Sequence, residues 1–137
     1  MPDQFAASIA GLPAFLAYFG ASIAMLVAFV VVYIRLTPHH EFALIKANNS
    51  AAAMAFGGAF IGFILPLASA MANSVSLFDF MVWGAVAFVV QVVAHFAKRI
   101  AIRDLPARIS ANETAAGAFA GIVSLGVGLL NAASMTY

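Results

Sequence analysis

The stretch ANNSAAAMAFGGAFIGFILPLASAMANSVSLF, residues 47–78, decides the fold. It contains no Asp, Glu, Lys or Arg, lying between Lys46 and Asp79. A helix of about 20 apolar residues crosses the roughly 30 Å of hydrocarbon in a bilayer, so this stretch reads as a membrane span. Residues 5–34 and 114–137 are likewise uncharged and long enough. A tighter stretch of 18 residues lies between Asp79 and Lys98 and includes Gln91 and His95. It still spans if Asp79 sits among the headgroups and Lys98 snorkels toward water. The expectation is four transmembrane helices, at about 12–36, 48–73, 77–99 and 112–135.

The whole chain agrees with that local reading. Of 137 residues, 65% are hydrophobic and 8% charged, where soluble domains are about half apolar and about one quarter charged. Mean hydropathy is +1.06. The class is therefore an all-α integral membrane protein, with residues 1–137 forming a single membrane domain. A transmembrane barrel would need alternation of apolar and polar residues, which is absent. Six basic against five acidic residues leave a net charge of +1, too little for a nucleic-acid surface. The absence of Cys excludes thiolate nucleophiles, disulfides and Cys-ligated metals. The opening Met1-Pro2-Asp3-Gln4 lacks the basic start of a cleavable signal, so the first helix is expected to be retained.

All six Lys and Arg fall in two places. Arg35 and Lys46 flank the first connection, while Lys98, Arg99, Arg103 and Arg108 surround the third. The positive-inside rule puts both connections in the cytoplasm and both termini outside. Tyr18, Phe19 and Trp83 then lie at depths that suit an outer aromatic belt.

Laying residues 47–71 over 111–135, a shift of 64, gives nine identities in 25 positions, including Asn48/Asn112, Gly57/Gly121 and Gly62/Gly126. The same shift pairs Gly20 with Gly84 and Arg35 with Arg99. Two units of two helices each are expected, at about 12–74 and 76–137. Each unit has an even number of spans, so the repeats are parallel, related by a pseudo-twofold along the membrane normal.

Asn48 or Asn49 and Asn112 stand where the second and fourth spans begin, and their side chains are expected to cap the first helical turns. An anion held by these two N-termini with Lys46 and Arg108 is a weaker reading, since caps and basic residues would be present anyway. Ala51, Ala55, Gly58 and Gly62 form one stripe, and Gly117, Gly121, Ser124 and Gly128 another. Small residues let helix backbones approach closely where lipid supplies no hydrophobic drive. The bulky Phe15, Phe19, Leu26 and Phe29 of the first span are assigned to lipid or to gap filling. Pro66 is expected to bend the outer half of the second span.

These residues carry a resemblance. Thr37-Pro38, Asn48-Asn49-Ser50-Ala51-Ala52-Ala53, Gly57-Gly58-Ala59-Phe60-Ile61-Gly62 and Leu65-Pro66-Leu67-Ala68-Ser69-Ala70 resemble the first unit of the YjfL-like bacterial inner-membrane family. Trp83, Gln91, Asp104, Asn112-Glu113-Thr114-Ala115-Ala116 and Val127-Gly128-Leu129-Leu130-Asn131-Ala132-Ala133 resemble its second unit. The resemblance implies a two-helix domain of unknown function present twice in the bacterial inner membrane. It implies no activity and no catalytic residue.

Chemistry-bearing side chains are sparse. Gln91, His95 and Arg99 follow one another at one-turn spacing on the third span and are expected to share a face. With Asn131 they serve either as interhelical contacts or as the lining of a polar path. His39, His40 and Glu41 are of metal-ligand type, but adjacent His on one short loop rarely converge on an ion, so no metal is expected. No phosphate loop, nucleophile elbow or metalloprotease helix occurs. The reading is a non-enzymatic inner-membrane module without cofactor, surrounded by lipid and working as a homo-oligomer or accessory subunit. The alternative is a channel or small-solute transporter with a path near Gln91, His95 and Asn131.

Overall fold

The structure, a computed structural model, describes residues 2–38 and 40–136. Every regular element among them is helical: α1 (Pro2–Ile9), α2 (Leu12–Leu36), α3 (Glu41–Lys46), α4 (Ser50–Asn73), α5 (Leu77–Ala101), α6 (Leu105–Ser110) and α7 (Thr114–Ala133). Four segments are long and apolar enough to cross a membrane: Pro2–Leu36, Ser50–Asn73, Leu77–Ala101 and Thr114–Ala133. Their bounds follow the charges that bracket each apolar run. Three elements go beyond the sequence reading. α1 precedes the first span, and the two basic connections contain α3 and α6 instead of irregular loop. Pro66 lies within an α4 that is helical from end to end.

α4 and α7 form the spine. A Cβ placed on Gly117 would overlap the backbone of Ala51, one on Gly58 that of Gly121, and one on Gly128 that of Gly62. The partners advance together along both helices, so α4 and α7 run parallel, backbone against backbone. Close approach of this kind is what small residues permit in a membrane. The end of the seam away from α3 and α6 is tied by Ser69, whose hydroxyl donates to the Ala132 carbonyl at 2.8 Å. Gly58, a member of the expected stripe, is the residue that meets Gly121, whereas nothing lies within 4 Å of a Cβ built on Gly57, the counterpart of Gly121 in the repeat. Neighbouring residues on a helix point about 100° apart, so only one of two adjacent glycines can face a given partner.

α5 lies antiparallel to α7, and α2 lies antiparallel to α4. Phe29 of α2 stacks on Phe63 of α4 at 4.6 Å, while Tyr33 meets Phe56 at 5.8 Å. Phe29, assigned to lipid from sequence, is only 4% exposed and belongs to the core with Ala59, Phe63, Leu67 and Phe80. In a span that is apolar on every side, periodicity cannot tell the inward face from the outward one.

A second cluster closes the end that carries α3 and α6. Leu105 and Ile109 pack on Ala51, Ala55, Ala116 and Ala120. Here Asn48 and Asn112 depart from the caps expected of them. Both have left-handed backbones, φ 66° and 59°, a conformation Asn tolerates better than most residues. The Asn48 N–H donates to Ile45 and the Asn49 N–H to Leu44, and Asn112 and Glu113 repeat the pattern on Ile109 and Arg108. These paired bonds terminate α3 and α6 as Schellman motifs. The cap of α4 is Asn49, whose Oδ1 accepts from the Ala52 N–H at 2.8 Å. Asn112 caps across the seam, its Oδ1 accepting from the Ala51 N–H of α4 at 3.1 Å. Asn49 answers by donating to the Ile109 carbonyl at 3.0 Å. The α4 first turn thus spends its donors on the protein's own side chains, which leaves little for an anion there.

Candidate functional site: a buried polar cluster

Ionisable side chains inside a membrane bundle are costly and mark functional sites by default. The fold buries such a group beneath the α3/α6 end: Glu41 is 1% exposed and Lys98 3%. α3 begins at Glu41 and turns its carboxylate inward, where it accepts a hydrogen bond from the Tyr33 hydroxyl and acts electrostatically on Lys98. Lys98 was expected to snorkel. Instead its Nζ donates to Ser124 Oγ of α7 at 2.8 Å. His95 lies one turn away on α5, its ring 5.2 Å edge-on from that of Tyr33. Gln91 lies a further turn inside, and its Nε2 finds no acceptor among the described residues.

Gln91, His95 and Lys98 share a small cavity of about 10 Å³ with Tyr33 and Ser124. They are related by i, i+4 and i+7, one face of a helix. Arg99, expected on that face, is exposed and donates to the Leu36 carbonyl at 3.4 Å. Asn131 is elsewhere. Its Nδ2 reaches the Ala87 carbonyl at 3.5 Å, and it lines a separate open groove with Trp83, Val86 and Val127. Phe29, which borders the Gln91 cavity, stacks on Phe63, and Phe88 stands edge-on to both rings at 5.6 and 5.8 Å. The small residues Gly58, Gly62, Gly117, Gly121, Ser124 and Gly128 all lie on the α4–α7 seam, and Ser124 also serves Lys98. Of the loop residues, His40 is exposed and His39 lies outside the described residues. No group of three or more His, Cys, Asp or Glu able to hold a metal occurs among the described residues.

Sequence reasoning missed Tyr33, Glu41 and Lys98 as site residues. The i, i+4, i+7 relation of Gln91, His95 and Lys98 was a usable signal. Nothing in the sequence announced that a loop acid would fold back under a short helix.

A family model described as Domain of Unknown Function (DUF350) matches residues 7–135. The chain belongs to the DUF350 family. It is also 43% identical over 124 residues, 90% of this chain and 94% of the relative, to a protein named UPF0719 inner membrane protein YjfL in Escherichia coli K12. The O157:H7 strain has a relative of the same name, identity and coverage. No solved structure matches. With four apolar helices, this DUF350 member is an inner-membrane protein of a family without assigned activity.

Proposed function

We propose that this DUF350 protein is a non-enzymatic membrane module that works by association, as an oligomer of its own chain. The observation that supports this reading is a groove of about 360 Å³ along the outside of the α4–α7 seam, lined by Met54, Gly57, Gly58, Gly121, Ile122 and Leu125. It holds no charged side chain, and Gly57 has no packing role within the chain. A neighbouring helix could approach the backbone closely there. The same chain carries a matching shape: Phe15, Phe19, Ile23, Val27 and Val31 of α2 are all exposed and recur every fourth residue. Such a ridge packs into a groove of the kind glycines leave. Ridge and groove are different surfaces, so the contact is heterologous, the kind that forms a ring where its rotation closes.

Native mass measurement in mild detergent tests this. The parent is expected to run as several chains and Gly57→Leu as one folded chain, because a Cβ at Gly57 meets none of the chain's own atoms while the rest of the new side chain occupies the groove. A parent that is strictly single would overturn the reading.

A channel or solute carrier using Gln91, His95 and Asn131 together has less support, because Asn131 lines a groove that shares no residue with the cavity of Gln91 and His95. Proteoliposome flux that depends on Gln91 and Asn131 alike would favour it over the oligomer.

A further inference from the structure

The buried cluster is reached by a row of cavities. An open cleft of about 470 Å³ at the α3/α6 end is bordered by Pro38, Arg99, Asp104 and Pro106. Pro38, Arg99 and Pro106 also border a cavity of about 20 Å³, whose inner wall is Tyr33, His95 and Lys98. Those three residues border in turn the cavity of about 10 Å³ that ends at Gln91 and Ser124. The two inner cavities are each of a size for about one water molecule. They are also polar enough to keep one: the Gln91 amide, 3% exposed and without a protein acceptor, faces the innermost space, and the Lys98 ammonium has more protons to donate than its one bond to Ser124 uses. Phe29, stacked on Phe63, forms part of the wall of this innermost space.

The chemistry of the walls narrows the ligand. The inner walls hold no carboxylate for a metal cation, which would meet the Lys98 ammonium there. Glu41 acts electrostatically on Lys98 and offsets the attraction of that ammonium for an anion, whereas a proton can reside on the Glu41, His95 or Lys98 atoms themselves. We propose that the row of cavities is a water-filled inlet open only at the α3/α6 end, through which protons exchange with the buried Glu41, His95 and Lys98. The titratable groups that line it are Tyr33 from α2 and His95, Lys98 and Arg99 from α5, with Asp104 at the mouth; Glu41 from α3 lines none of the three cavities and is reached through the Tyr33 hydroxyl that donates to it. α4, α6 and α7 contribute none to the inner walls. Membrane proteins that move protons are built from such buried acid, His and Lys groups with one-sided water access. The proposal does not depend on the oligomer, since every group comes from one chain.

Infrared difference spectra of the protein in nanodiscs, recorded on changing pH, read protonation directly. The expected result is a reversible signal from a buried carboxyl or imidazole that Glu41→Gln alters and Asp79→Asn, far from the cluster, leaves in place. A parent without any such signal, or one whose signal is the same in Glu41→Gln, would overturn the proposal. If Glu41→Gln does not fold, radiolysis of water in the parent protein decides, because hydroxyl radicals form from the water already inside. Tyr33 and His95, both buried and bordering the inner cavities, should be oxidised, while the equally buried Phe63 stays intact. Tyr33 and His95 as intact as Phe63 would contradict a water-filled inlet.

Discussion

Gly121→Ala is the smallest change that tests the α4–α7 spine. A Cβ on Gly121 would stand 2.5 Å from the Met54 carbonyl oxygen and 3.3 Å from its carbon. Ordinary contact begins near 3.4 Å, so the helices must part by about 0.9 Å at that level. Moved rigidly, such a shift takes the 2.8 Å bond from Ser69 to Ala132 and the 3.1 Å bond from Ala51 to Asn112 beyond hydrogen-bonding distance. Overpacking costs about 1–3 kcal/mol, and interhelical bonds in a membrane contribute roughly 0.6–1.7 kcal/mol each. The expected loss is therefore about 2–6 kcal/mol. Gly57→Ala is the matched control, one residue from the Gly121 partner and with nothing in reach. Unfolding in detergent mixtures of rising denaturing fraction, followed by helix content, compares the two. Equal stability of Gly121→Ala and Gly57→Ala would refute the backbone-to-backbone spine.

Further outcomes follow from other contacts. Lys98→Met should destabilise by about 3–5 kcal/mol, since it strands the Glu41 carboxylate in the interior, whereas Ser124→Ala should cost about 1–3 kcal/mol; both are read in the same unfolding assay. Phe29→Ala should cost about 3 kcal/mol or more through lost packing on Phe63 and Phe88, while Phe78→Ala, at an exposed position outside both ridge and groove, should leave stability unchanged. Asn49→Ala should cost about 1 kcal/mol as the loss of the α4 cap, and Asn112→Gly should lose the cross-seam bond while keeping the left-handed turn. A single Cys near His40 or Arg103 should be shielded from an impermeant thiol reagent in intact cells and one at Asn73 labelled, if the basic connections are cytoplasmic.

The spans were legible because charge is rare in this chain. Asp79 and the residues around Arg35, Lys46 and Lys98 bracket each apolar run, and the helices Leu12–Leu36 and Leu77–Ala101 end close to those brackets. The faces of the spans were less legible. Phe15 and Phe29 read alike, yet one is 58% exposed and the other 4%. In lipid the outward face is as apolar as the inward one, so only shape distinguishes them. The alignment of Gly57 with Gly121 was similarly silent on packing, because a shared position in a repeat does not require mutual contact. Asn48 reads as a helix start from its place before an apolar run, but its left-handed backbone makes it the stop of α3. Lys98 and Glu41 were hidden for another reason: the count of basic residues per connection sets sidedness without saying which of them turns inward.

The central claim, association of ridge with groove, is tested most directly by cross-linking in native membranes. Val31 lies near the depth of Gly57, because in the chain itself Tyr33 meets Phe56 and Phe29 meets Phe63. The double variant Val31→Cys/Gly57→Cys in this Cys-free background should oxidise to a ladder of covalent oligomers that stops at the ring size, while either single variant gives none. Monomers alone in the double variant, or dimers in a single variant, would contradict the account.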